Sequence, residues 1–133
     1  MITGIGNDLV ALPRLRGMLA RHPQRLPARL LCESEAKEFM RLQKKMSSER
    51  LCEFLAARVA AKEALGKALG VGLKSPLTWR RVGVAQDKAG RPFFIFSPEL
   101  SDYLTRKNIS ICHLSLSHDG DYAAATVVAE QTT

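Results

Sequence analysis

The chain has 133 residues, 46% of them hydrophobic and 25% charged, which fits one globular domain over 1–133 with a core of its own and neither a linker nor a disordered tract. No apolar run approaches the length that crosses a bilayer, and MITGIGNDLV at the N-terminus has neither a basic leader nor a small-residue cleavage pattern, so a cytoplasmic protein is expected. Twenty Lys and Arg against 13 Asp and Glu give a net charge of +7, which points to an anionic partner, whereas eight aromatic residues are too few for a single-strand stacking platform.

Met1 to Leu9 reads as a short strand in which Gly4 and Gly6 permit close approach of a neighbouring backbone and Asp8 arrives near the end. Pro13 sets a first helical turn. A helical pattern runs from about Pro27 to Lys45 with an interruption near Ser34, and Ser47 or Ser48 caps a long helix that Gly70 and Gly72 end. After Pro76 the period becomes two: Val82 and Val84, a turn at Asp87 to Gly90, and Pro92 to Ser97 form a hairpin. A short helix from Pro98 to about Lys107 precedes two further strands, Ile109 to Ser117 and Tyr122 to Glu130, joined by residues His118 to Asp121. This order predicts an α+β fold with a mainly antiparallel sheet packed on one long helix. Cys32, Cys52 and Cys112 are odd in number and widely spaced, which suits reduced core thiols.

The long helix carries an anomaly. Leu51, Phe54, Leu55, Ala61, Leu65 and Leu69 make one apolar stripe, yet Arg58 and Lys62 project from its middle. Snorkelling would account for a single lysine; two cations one turn apart, with Glu63 at the stripe's edge, point to a buried polar site facing a cleft. Asp8 and Glu63 together have the chemistry to hold Mg²⁺ by two oxygens while waters and phosphates complete the octahedron. The plain alternatives are an ion pair of Glu63 with Lys67 and a capping role for Asp8. At Ser117 and His118 a strand end offers an imidazole to a ligand phosphate.

Taken together, GIGNDLVALPRL, RVAAKEALGKALG and SLSHDGDYAAA resemble the three motifs of the holo-acyl-carrier-protein synthases, small 4′-phosphopantetheinyl transferases, in the family's order from Gly4 to Ala129. The resemblance implies Mg²⁺-dependent transfer of 4′-phosphopantetheine from coenzyme A to a serine of apo acyl carrier protein, for fatty acid biosynthesis, in a homotrimer with active sites between subunits. Carried over by position, Asp8 and Glu63 match the metal carboxylates. Lys62 matches the lysine that meets the pyrophosphate and stabilises departing 3′,5′-ADP. Arg58 and His118 match positions that grip the nucleotide end with its 3′-phosphate, and Arg14 matches a residue that docks the acidic carrier protein. Val59 stands where the family often has an aromatic, and Arg81 and Gly83 where it often has acids. The competing class is a small basic domain that binds nucleic-acid phosphates without catalysis; carboxylates at Asp8 and Glu63 weigh against it, because they repel phosphate unless a cation intervenes.

Overall fold

The computed structural model describes residues 1–132. Strand β1 (Ile2–Ala11) leads into α1 (Leu12–Arg21), α2 (Arg25–Leu30), α3 (Glu33–Gln43) and the long α4 (Ser48–Leu69). The hairpin β2 (Val82–Gln86) and β3 (Pro92–Phe96), helix α5 (Pro98–Arg106), and strands β4 (Ile111–Asp119) and β5 (Tyr122–Glu130) follow. The expected α+β class holds, with the strands divided between two antiparallel sheets: β1-β5-β4 and β2-β3.

Local chemistry accounts for most boundaries. The Ser47 hydroxyl accepts a bond from Arg50 N at 3.2 Å, capping α4, and Gly70 ends it in the left-handed region at φ 74°. The expected break near Ser34 falls at Leu31 and Cys32, where Cys32 caps α3 and the Glu35 carboxylate accepts from Cys32 N at 3.0 Å. Two boundaries extend past their expected places. Strand β1 continues to Ala11, so Asp8 lies within it, and β4 continues through His118 and Asp119, leaving a two-residue turn at Gly120 and Asp121.

Helix α4 is the axis of the molecule. Its first half packs Cys52, Leu55 and Ala56 against Leu12, Leu15, Leu26, Leu30 and Phe39 of the three preceding helices. Its second half packs Ala60, Ala61, Ala64, Leu65 and Ala68 against the inward residues of both sheets. Small residues let β1 cross α4 almost in backbone contact: a Cβ at Gly6 would fall on the Ala64 carbonyl oxygen, and one at Gly4 on that of Ala68. That close crossing carries Asp8 to the level of Glu63 and Lys67.

Candidate active site

Asp8, from β1, and Glu63, from α4, line one cavity of about 440 Å³. Arg14 and Met18 of α1 form another side of it, and Leu30, Val59 and Trp79 form its apolar wall. Burial pushes the Glu63 carboxyl above its usual range, and the neighbouring Asp8 charge adds to this, while Lys67 and Arg14 act in the opposite sense. Two carboxylates close enough to disturb each other in a partly desolvated pocket are an oxygen donor set that a hard divalent cation satisfies. The described residues contain no group of three or more acidic, His or Cys side chains suited to a metal, so waters or ligand oxygens would supply the remaining positions.

Lys67 does not line this cavity but is tied to its Asp8, whereas the sequence suggests for it only a helical pair with Glu63. Its ammonium donates to Asp8 Oδ1 at 3.1 Å and to the Asn7 carbonyl at 2.8 Å, bridging α4 to β1. The signal was the second lysine of RVAAKEALGKALG, four residues after Glu63 and so on the same helical face.

Arg58 and His118 line a second cavity of about 250 Å³, together with Glu53, Gln86, Pro92 and Ser117. At the β1–α1 junction consecutive residues serve different cavities, Ala11 lining the first and Leu12 the second. The Arg58 guanidinium lies over the Phe54 ring, 3.6 Å from its centroid, and Nη1 donates to the Phe54 carbonyl at 3.5 Å.

Lys62 lines neither cavity. The side chain is completely buried, and Nζ donates to Glu35 Oε1 at 2.6 Å, Leu30 O at 2.7 Å and Trp79 O at 2.9 Å. An ammonium has three donors, and all three are engaged. The helical spacing correctly placed this cation on a packing face, but that face turns toward α2, α3 and the loop at Trp79. Its counter-charge, Glu35, is 2% exposed and was overlooked in the sequence, because it sits 27 residues from Lys62. The available signal was the acid three residues after a helix cap in CESE.

Beside the first cavity, Met18 of α1, His22 just after it, and Arg25, Leu26 and Arg29 of α2 line a groove of about 610 Å³ that combines apolar and basic surface. Met18 is common to both.

A model of the 4′-phosphopantetheinyl transferase superfamily matches residues 4–127. The holo-[acyl-carrier-protein] synthase of Nitrosomonas eutropha is 41% identical over 131 residues, covering 98% of this chain and 100% of that protein. The crystal structure of the holo-[acyl-carrier-protein] synthase from Neisseria meningitidis superposes with a TM-score of 0.90 at 37% identity, over 98% of this chain and 100% of that one. The corresponding synthase from Bacillus anthracis, in complex with coenzyme A (3′,5′-ADP), gives a TM-score of 0.79 at 36% identity, over 99% of each chain. With three motifs, the fold and full-length relatives in agreement, the chain belongs to the 4′-phosphopantetheinyl transferase superfamily.

Proposed function

We propose that this chain, one transferase domain over residues 1–133, is a holo-acyl-carrier-protein synthase that moves 4′-phosphopantetheine from coenzyme A to a serine of apo acyl carrier protein and releases 3′,5′-ADP. The observation that carries this reading is the pair of cavities in a member of this superfamily, one lined by Asp8 and Glu63 and the other by Arg58 and His118. They match the two needs of the donor: its pyrophosphate and its nucleotide phosphate. The nucleic-acid reading has no comparable support, since Asp8 and Glu63 would repel a bare phosphate backbone.

Asp8 and Glu63 are the residues that would hold Mg²⁺, which when bound polarises the pyrophosphate. The serine Oγ attacks the β-phosphorus, the bond to the α-phosphate oxygen breaks, and the hydroxyl proton passes to an oxygen of Asp8 or Glu63 or to a water beside them. Lys67, on the open side of Asp8, takes the part first assigned to Lys62: its exposed ammonium meets charge growing on the leaving 3′,5′-ADP. Arg58 and His118 hold the 3′-phosphate. Arg14 and the basic α1–α2 groove beside it draw in the acidic carrier protein and set its serine at the first cavity.

Assembly as a homotrimer is supported by the outer face of the three-stranded sheet. Ile5 and Leu9 of β1, Ile111 of β4 and Tyr122 of β5 remain 68%, 61%, 44% and 51% exposed there, among the polar pairs Asn7–Thr126 and His113–Glu130, a mixed surface that a second copy of the chain would cover. No helix of the described residues is long and apolar enough to cross a membrane. The reaction proposed belongs to the cytoplasm and to fatty acid biosynthesis, which consumes the holo carrier protein. The test is chromatographic: 3′,5′-ADP should appear from coenzyme A only when apo carrier protein and Mg²⁺ are both present. Release without carrier protein, or none with it, would overturn the reading.

A further inference from the structure

The buried carboxylate of Glu35 faces two cations. Oε1 accepts from Lys62 Nζ at 2.6 Å and from Cys32 N at 3.0 Å, and Oε2 accepts from Val84 N at 2.8 Å. These bonds fix it between α3, α4 and β2, and Gly83 makes the approach possible, since a Cβ there would collide with Cys32 Sγ. The Arg58 Nε lies 3.8 Å from Oε2, outside hydrogen-bond reach, and is buried without any partner. Lys62 has two carbonyls besides Glu35, whereas Arg58 has only the Phe54 ring and carbonyl.

Glu35 thus stands between the buried Lys62 and the part-buried Arg58, with Glu38 a weaker influence on Arg58, and the cation with fewer hydrogen-bond partners is the one lining a cavity. We infer that Glu35 is a positioning residue for the transfer reaction: it anchors the inner end of the Arg58 guanidinium by charge, which directs the outer nitrogens and their charge into the second cavity. Because Glu35 is already occupied by three donors, it orients Arg58 without neutralising it. A full hydrogen bond would hold the guanidinium more tightly but would consume the charge that a phosphate needs. Burial disfavours the charged form of Arg58, and Glu35 is the chief opposing influence. Lys62 acts here as the clamp that holds Glu35 in place.

The inference rests on the reading that Arg58 grips the 3′-phosphate, and dephospho-coenzyme A, which lacks that group, separates the two. Steady-state kinetics with both donors are compared for the parent chain, Arg58→Ala, Glu35→Gln and the double variant. Glu35→Gln should raise KM for coenzyme A on the order of tenfold, as one weakened charge-assisted contact would. It should leave kcat and the dephospho donor nearly unchanged, and add nothing to Arg58→Ala. Should Glu35→Gln fold poorly, Glu35→Gln/Lys62→Met removes both partner charges and must show the same donor selectivity. Equal losses on both donors for Glu35→Gln, or losses that add to those of Arg58→Ala, would overturn the positioning role while leaving that of Arg58 intact. If Arg58→Ala itself impairs both donors alike, the phosphate-gripping reading fails first, and the inference fails with it.

Discussion

Lys62→Met separates an internal brace from a group that touches substrate. The substitution keeps the stem but strands the Glu35 carboxylate and the carbonyls of Leu30 and Trp79, all three of which the ammonium now serves. Breaking one partner out of a buried pair costs about 3–5 kcal/mol, a large part of the roughly 5–15 kcal/mol that holds a domain together. At this chain length, with roughly 4 °C per kcal/mol, the melting temperature should drop by about 10–20 °C. Glu35→Gln/Lys62→Met should recover part of that loss, because the glutamine amide can donate to a freed carbonyl while its oxygen still accepts from the backbone. Thermal melts of the three proteins at neutral pH make the comparison. A Lys62→Met protein that melts with the parent yet has lost turnover would refute the reasoning and return Lys62 to the pyrophosphate.

The remaining predictions concern the first cavity, its supports and the thiols. The folded-state pKa of Glu63 is raised by burial and by Asp8, so the stability linked to it is present at low pH and is lost as pH rises through that pKa. Without divalent ions Glu63→Gln should therefore melt higher than the parent at pH 7, the gap narrowing on acidification toward roughly pH 4, and Mg²⁺ should stabilise the parent alone; a variant less stable at every pH contradicts this. Arg14→Glu should raise KM for carrier protein most strongly at low salt and spare coenzyme A binding, whereas a pure loss of turnover would count against docking. Gly6→Ala should cost at least 2 kcal/mol, about the scale of overpacking, since its Cβ would meet the Ala64 carbonyl; an unaltered melt would show that β1 lies farther from α4. Iodoacetamide should label the half-buried Cys32 ahead of Cys52 and of Cys112, whose thiol burial pushes up to about 11; fast labelling of Cys112 would show its strand to be open.

Much of this was legible in the chain. The long helix announced itself through the Ser47 cap and Gly70 stop, and the hairpins through period-two runs around short turns. Gly4 and Gly6 were readable as points of close approach, and the crossing they permit does bring Asp8 beside Glu63. Periodicity also put Lys62 on a packing face but could not say what that face meets, because Glu35, Leu30 and Trp79 reach it from three separate segments. For Lys67 helical spacing offers Glu63 as the plain partner, while the helix-to-strand contact with Asp8 joins residues 59 apart. Local pattern identifies which residues share a face; only tertiary contact decides which charge each one serves.

Transfer of phosphopantetheine to a carrier serine is the work proposed for the Asp8–Glu63 cavity. A mass spectrum of apo carrier protein after incubation with this chain, coenzyme A and Mg²⁺ tests it most directly, with Glu63→Gln run alongside. The parent should add one phosphopantetheinyl group to each carrier molecule at its serine, and Glu63→Gln should add almost none in the same time. An unmodified carrier protein with the parent chain would rule out the transferase activity, and equal modification by both proteins would remove Glu63 from the site.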